Sequence, residues 1–135
     1  MSRLGTIVVG YLPTPEGAAA LEHAKEWAVS ESARVLVVNT GRNGDYAHPN
    51  FATSQDIDAI QAELGEAGID HEVMQPTDGK SAAESILGVA VQNDADLIVI
   101  GVRRRSPVGK LITGSTAQHI LLDAPCPVLS VKATG

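Results

Sequence analysis

Short apolar runs and longer stretches of helical spacing alternate along the chain. Thr6-Ile7-Val8-Val9-Gly10 has the β-branched character of a buried strand. The stretch after it places Ala20, Leu21, Ala24, Trp27 and Ala28 on one stripe, the spacing of a helix packed on a sheet. Val35-Leu36-Val37-Val38 predicts a second strand. A polar stretch over Gly41–Ala52, with Gly41, Asn43, Gly44 and Pro49, reads as a long loop, and a helix follows through Ile57, Ile60 and Leu64, closed by Gly65 or Gly68. His71-Glu72-Val73-Met74 is a weaker strand whose charged start suits a sheet edge. Ser81 and Glu84 stand at capping-box spacing ahead of a third helix. Leu97-Ile98-Val99-Ile100 is apolar without alternation, which predicts burial on both faces. A last helix over Thr116–Leu122 leads into Val128-Leu129-Ser130-Val131.

The resulting order, βα four times and then β, predicts an α/β fold: a five-stranded parallel sheet with helices on both faces. Right-handed crossovers leave few topologies, and the favoured strand order is 3-2-1-4-5. In such a sheet the chain direction reverses between strands 1 and 4, and ligands sit outside the carboxyl ends of the strands at that switch point. The loops after Gly10 and after Gly101 are therefore the places to look for chemistry.

The loop after strand 4 is unlike the rest of the chain. The sequence has ten Lys and Arg against sixteen Asp and Glu, a net charge of −6, yet Arg103, Arg104, Arg105 and Lys110 fall together there. Ser115 and Gln118 follow at capping-box spacing, and Gly114 admits a close backbone approach. Taken alone, the segment fits a capped helix behind a solvated basic loop as well as an anion site. Its place at the switch point favours the anion site, because a helix N-terminus offers free N–H groups. Gly109-Lys110 does not make a P-loop, since that pattern needs glycine at 104 and Ser or Thr at 111, where Arg104 and Leu111 stand. Thr14-Pro15 supplies an N-cap and first helical residue at the start of the first helix, facing the same crevice.

The run from Gly101 to Ser115, continuing into Ala124-Pro125-Cys126-Pro127-Val128-Leu129-Ser130-Val131, resembles the C-terminal signature of the universal stress protein family. Its nucleotide-binding members carry Gly, two residues, Gly, nine residues, Gly and then Ser or Thr. This chain has Gly101, Gly114 and Ser115 at that spacing, with Arg104 in place of the second glycine. Ile7-Val8-Val9-Gly10-Tyr11 followed by Thr14-Pro15-Glu16 is similar to the family's opening, so the likeness extends over the whole chain, 1–135, as one domain. The resemblance implies a nucleotide-binding stress-response fold related to the adenine nucleotide alpha hydrolases, with ATP or another adenine nucleotide as ligand. It places adenine near Thr40, ribose near Gly10, Tyr11 and Gly101, and phosphates near Gly114, Ser115 and Thr116, with the Arg104 guanidinium able to contact phosphate. An aspartate after strand 1 contacts nucleotide in ATP-binding members, whereas Leu12 and Pro13 stand here, which weakens any Mg²⁺ site.

Other readings fail on residues. Tyr11-Leu12-Pro13 lacks the acids of a receiver domain, and Pro13-Thr14-Pro15-Glu16-Gly17 lacks the hydroxyls of a flavodoxin phosphate loop. His23, His48, His71 and His119 have no ligand spacing with one another or with Cys126. Asp94 and Asp96 precede strand 4, at the wrong end for catalysis. No nucleophile, base and acid assemble, so binding is expected rather than enzymatic turnover. The negative charge and the four aromatic residues argue against nucleic acid as a partner, and no apolar run is long enough for a membrane span. A lone cysteine and an N-terminus without a basic-apolar leader give a cytoplasmic expectation. Val128, Leu129, Ser130 and Val131 would form an apolar sheet edge, and pairing with a second copy would cover it, as the resemblance also implies; a homodimer is expected. The alternative is a protein-interaction module that kept the fold and lost the nucleotide.

Overall fold

The computed structural model of the chain describes residues 5–40, 52–76, 80–102 and 115–132. Its elements are β1 (Thr6–Tyr11), α1 (Pro15–Glu31), β2 (Arg34–Asn39), α2 (Ser54–Glu66), β3 (His71–Met74), α3 (Ala82–Gln92), β4 (Leu97–Val102), α4 (Ser115–Asp123) and β5 (Val128–Lys132). All five strands are parallel, in the order β3-β2-β1-β4-β5. The alternation of strands and helices thus yields the predicted topology, with β3 and β5 at the edges.

Period-two alternation within each strand divides the core between the sheet's faces. Ile7 and Val9 of β1, Val35 and Val37 of β2, and Leu97 and Val99 of β4 pack with Ala20, Leu21, Ala24 and Ala28 of α1 and with Ile60 and Leu64 of α2. Val8, Leu36, Val38, Ile98 and Ile100 point the other way, against Ala83, Ile86 and Ala90 of α3 and Ala117 and Ile120 of α4. The small residues of α1 let its backbone lie close to the strands.

One member of the expected α1 stripe is elsewhere. Trp27 is 43% exposed, while Gly17, Ala20, Leu21, Ala24 and Ala28 are buried. At 100° per residue Trp27 lies roughly 80° from the middle of that stripe, too far round for a ring of its size to enter the layer. It sits on the flank opposite Lys25, whose Nζ reaches Glu63 Oε2 of α2 at 2.8 Å.

The amino-terminal rim of the sheet is tightly closed. After α1, α2 and α3 the chain turns back through one left-handed residue, Ser32 (φ 57°), Gly68 (φ 73°) and Asp94 (φ 51°) respectively. In each case the following amide returns to a carbonyl of the last helical turn: Ala33 to Ala28 at 3.0 Å, Ile69 to Leu64 at 3.0 Å and Ala95 to Ala90 at 2.9 Å. These are Schellman closures. Of the two glycines expected to end α2, Gly68 does so and Gly65 is inside the helix. Asp96 completes this rim, its Oδ2 accepting from Gly5 N at 2.8 Å and Thr6 N at 3.1 Å. That is the structural role expected of an acid at the end remote from the switch point.

Candidate functional site at the carboxyl rim

β1 and β4 are neighbours, paired Gly10 with Ile100, so the switch point lies between their carboxyl ends. The connection from β1 to α1 is compact. Thr14 N donates to Leu12 O at 2.8 Å, closing a three-residue turn centred on Pro13, whose ring fixes φ near the value such a turn needs. Thr14 is the N-cap of α1, its Oγ1 accepting from Gly17 N at 3.1 Å, and Pro15 is the first helical residue, as expected.

Two glycines seat this helix start. A Cβ on Gly17 would stand 1.9 Å from Leu12 O, and one on Gly101 would stand 2.1 Å from Glu16 O. The first turn of α1 therefore rests on the bare backbone of β4 at Gly101. The role the resemblance implies for that glycine, approach of a ligand, is joined here by a packing role. Gly10 is similar but milder, its absent Cβ facing the mobile end of Ile86 at 2.8 Å.

The rim thus gathers Gly10, Tyr11, Thr40 and Gly101 from three adjacent strands. Thr40 is buried at the end of β2. The Tyr11 ring packs on the α1/α2 face, where burial, and then Asp56 and Glu63, raise its phenol above the ordinary value of 10.0. Its backbone carbonyl, at the end of β1, accepts from Asn39 Nδ2 at 2.9 Å. Thr116 is exposed on the first turn of α4, which begins at Ser115, one residue before the expected start. Arg103, Arg104, Arg105, Lys110, Gly114 and the Ser115 side chain lie outside the described residues, as does His48. No group of three or more His, Cys, Asp or Glu that could hold a metal ion occurs among the described residues. His71 Nδ1 contacts Ile69 O at 2.7 Å and His119 Nε2 contacts Asp123 at 3.1 Å. Cys126 is half-buried, near Asp96 at the other rim; burial, and then that carboxylate, raise its thiol above 9.0, unlike an activated nucleophile.

One cluster at this rim is not apparent from motifs. Asn39, with no exposed surface, donates from Nδ2 to Tyr11 O at 2.9 Å and accepts at Oδ1 from Ala52 N at 2.7 Å and from Gln75 Nε2 at 2.9 Å. Gln75 Nε2 also donates to Ala52 O at 2.9 Å. The available signal was Asn39 itself, an amide immediately after the apolar run Val35–Val38.

Topology and rim together define a doubly wound α/β protein whose switch point lies between the carboxyl ends of β1 and β4. The chain belongs to the universal stress protein family, whose model matches residues 4–132. A universal stress protein of Mycolicibacterium smegmatis is 43% identical over 129 residues, covering 96% of this chain and 98% of that one. The structure of a universal stress protein from Archaeoglobus fulgidus superposes with a TM-score of 0.77 at 28% identity, covering 97% of this chain and all of the other (100%). Two further structures share the fold: a universal stress protein in complex with cAMP (TM-score 0.72, 20% identity, 98% and 100% coverage) and one from Archaeoglobus fulgidus in complex with dAMP (TM-score 0.67, 23% identity, 98% and 100% coverage).

Proposed function

We propose that this chain is a regulatory stress-response protein that binds an adenine nucleotide of the ATP or AMP type across the carboxyl ends of β2, β1 and β4. The observation that supports the reading is the arrival of Gly10, Tyr11 and Gly101, with Thr40 directly after β2, at the carboxyl ends of three adjacent parallel strands. Proteins of the same fold in complex with cAMP and dAMP support it. Thr40 would meet adenine; Gly10, Tyr11 and Gly101 the ribose; Arg104, Gly114, Ser115 and Thr116 the phosphates. Leu12 puts an alkyl chain where ATP-binding members have a carboxylate, so binding would depend little on Mg²⁺. The reading is one of ligand binding rather than turnover.

Calorimetry with ATP, ADP and AMP, with and without Mg²⁺, tests this. Heat at millimolar ligand, insensitive to the metal, is expected; its absence with all three ligands overturns the nucleotide reading. A second reading, a protein-interaction module without nucleotide, is favoured by the packing roles of Gly17 and Gly101, which account for those glycines with no ligand. Mass spectrometry of protein purified without added nucleotide separates the two, because a co-purified nucleotide refutes the second.

Under either reading the chain acts as a homodimer, joined along β5. That strand is an edge, with Val128 and Leu129 only partly covered. A monomer by light scattering at micromolar concentration overturns this. The single cysteine suits a reducing cytoplasm.

A further inference from the structure

Asn39 is the most deeply buried polar side chain among the described residues. Burying an amide is costly unless its polar atoms are matched, and here the partners permit only one arrangement. Ala52 N–H can only donate, so it must face Asn39 Oδ1. The Tyr11 carbonyl can only accept, so it must face Nδ2. With Oδ1 so placed, Gln75 must turn its Nε2 inward, where one N–H meets Asn39 Oδ1 and the other meets the Ala52 carbonyl. Flipping either amide would set acceptor against acceptor. The pair therefore locks the carboxyl ends of β1 and β2 to the residue after β3 and to the approach to α2, whose N-cap is Thr53.

Thr40 follows Asn39 directly and is itself buried. Its backbone orientation is set by the locked residue before it. A fixed N–H and C=O read a base by donor and acceptor order: adenine offers a ring acceptor beside an exocyclic amine, whereas guanine offers a ring N–H beside a carbonyl. A site built on one order leaves buried groups unpaired with the other.

We propose that Asn39 and Gln75 are a positioning pair that holds the Thr40 backbone so that the crevice selects a 6-amino purine over a 6-oxo purine. The proposal rests on the nucleotide reading above. Neither residue need touch the base; they act through the peptide at Thr40.

The test is titration of AMP and GMP into the full chain and three variants. Gln75→Met keeps side-chain length and removes both donors. Asn39→Ala removes the hub, and Asp96→Asn perturbs the opposite rim as a control for general loss of stability. The wild type is expected to prefer AMP, and Gln75→Met to narrow that preference by about tenfold, the equivalent of one neutral hydrogen bond. Asp96→Asn should leave the preference unchanged. Asn39→Ala combined with Gln75→Met should narrow it no further than Asn39→Ala alone, since the pair acts as a unit. An unchanged preference in a folded Gln75→Met variant overturns the proposal, and Gln75→Ala repeats the test should that variant fail to fold. Equal binding of AMP and GMP by the wild type also overturns it while leaving the nucleotide reading intact. Binding of neither overturns both.

Discussion

At the residue scale the glycines fall into two groups with opposite consequences. Gly17 and Gly101 are bare because backbone occupies the space a Cβ would take, Leu12 O in one case and Glu16 O in the other. Backbone cannot swing aside as a side-chain terminus can. Gly17→Ala or Gly101→Ala should therefore lift the first turn of α1 and cost about 1–3 kcal/mol, the range for overpacking. Gly65 and Gly88 lie inside α2 and α3 with nothing within 4 Å of a built Cβ. Gly65→Ala and Gly88→Ala should raise stability by about 0.5–1 kcal/mol, through helix propensity and a less flexible unfolded chain. Denaturant melts of the four variants check both signs. The sequence singled out Gly101 by its spacing, but only as a place for a ligand. Its second role was hidden because the atom it makes room for belongs to the first turn of α1, distant in the chain.

At the scale of elements, the three closures at the amino-terminal rim share a geometry but not a residue. Gly68 suits its positive φ, whereas Ser32 and Asp94 hold left-handed conformations that L-residues adopt at a cost. Ser32→Gly should relieve strain and stabilise by up to about 1 kcal/mol, with Asp94→Gly smaller because a short acid tolerates the region better. Thermal unfolding of both variants, showing loss instead of gain, would mean that these side chains contribute more than their backbone strain removes. Asp96→Ala should act in the other direction, by about 1–3 kcal/mol, since the amides of Thr6 in β1 and of Gly5 just before it lose their acceptor. That α2 ends at Gly65 or Gly68 was readable, without a choice between them, and Ser81 with Glu84 was readable as a helix start; Gly68 and the capping box are in place. Ser32 and Asp94 were not readable, because nothing local marks a serine or an aspartate as left-handed. The Asn39 and Gln75 pair was not readable either, since it joins residues that become neighbours only once β2 and β3 pair in register.

For the whole molecule, alternation of buried strands with helical stripes was enough for topology, because a parallel sheet covered on both faces requires both signals. What it could not resolve was the limit of a stripe, as the outward turn of Trp27 shows. A molecule-wide consequence lies in its pH response. Tyr11 and Cys126 are raised, chiefly by burial, above 10.0 and 9.0, and Lys25 is raised above 10.5, chiefly by its hydrogen bond to Glu63. In all three the folded state holds its proton more tightly than the unfolded chain. Each favours folding fully below the unfolded value and loses that contribution as pH climbs through the folded one. Stability should accordingly fall from about pH 9 upward, and Tyr11→Phe should soften the decline; in denaturant melts across alkaline pH a flat profile would mean no shift and a rising one the opposite sign.

Trp27 is the only tryptophan in the sequence, fixed on one flank of α1 and 43% exposed. Glu16, on the same side of that helix, rests on β4, so the indole lies on the flank toward β5, whereas Lys25 faces α2. The molecule thus carries its one indole, which can be excited apart from Tyr11 and Tyr46 at the red edge of absorption, beside the edge where a second copy would pair. Its emission colour and accessibility to a quencher, followed on dilution, would report assembly at that edge without any label.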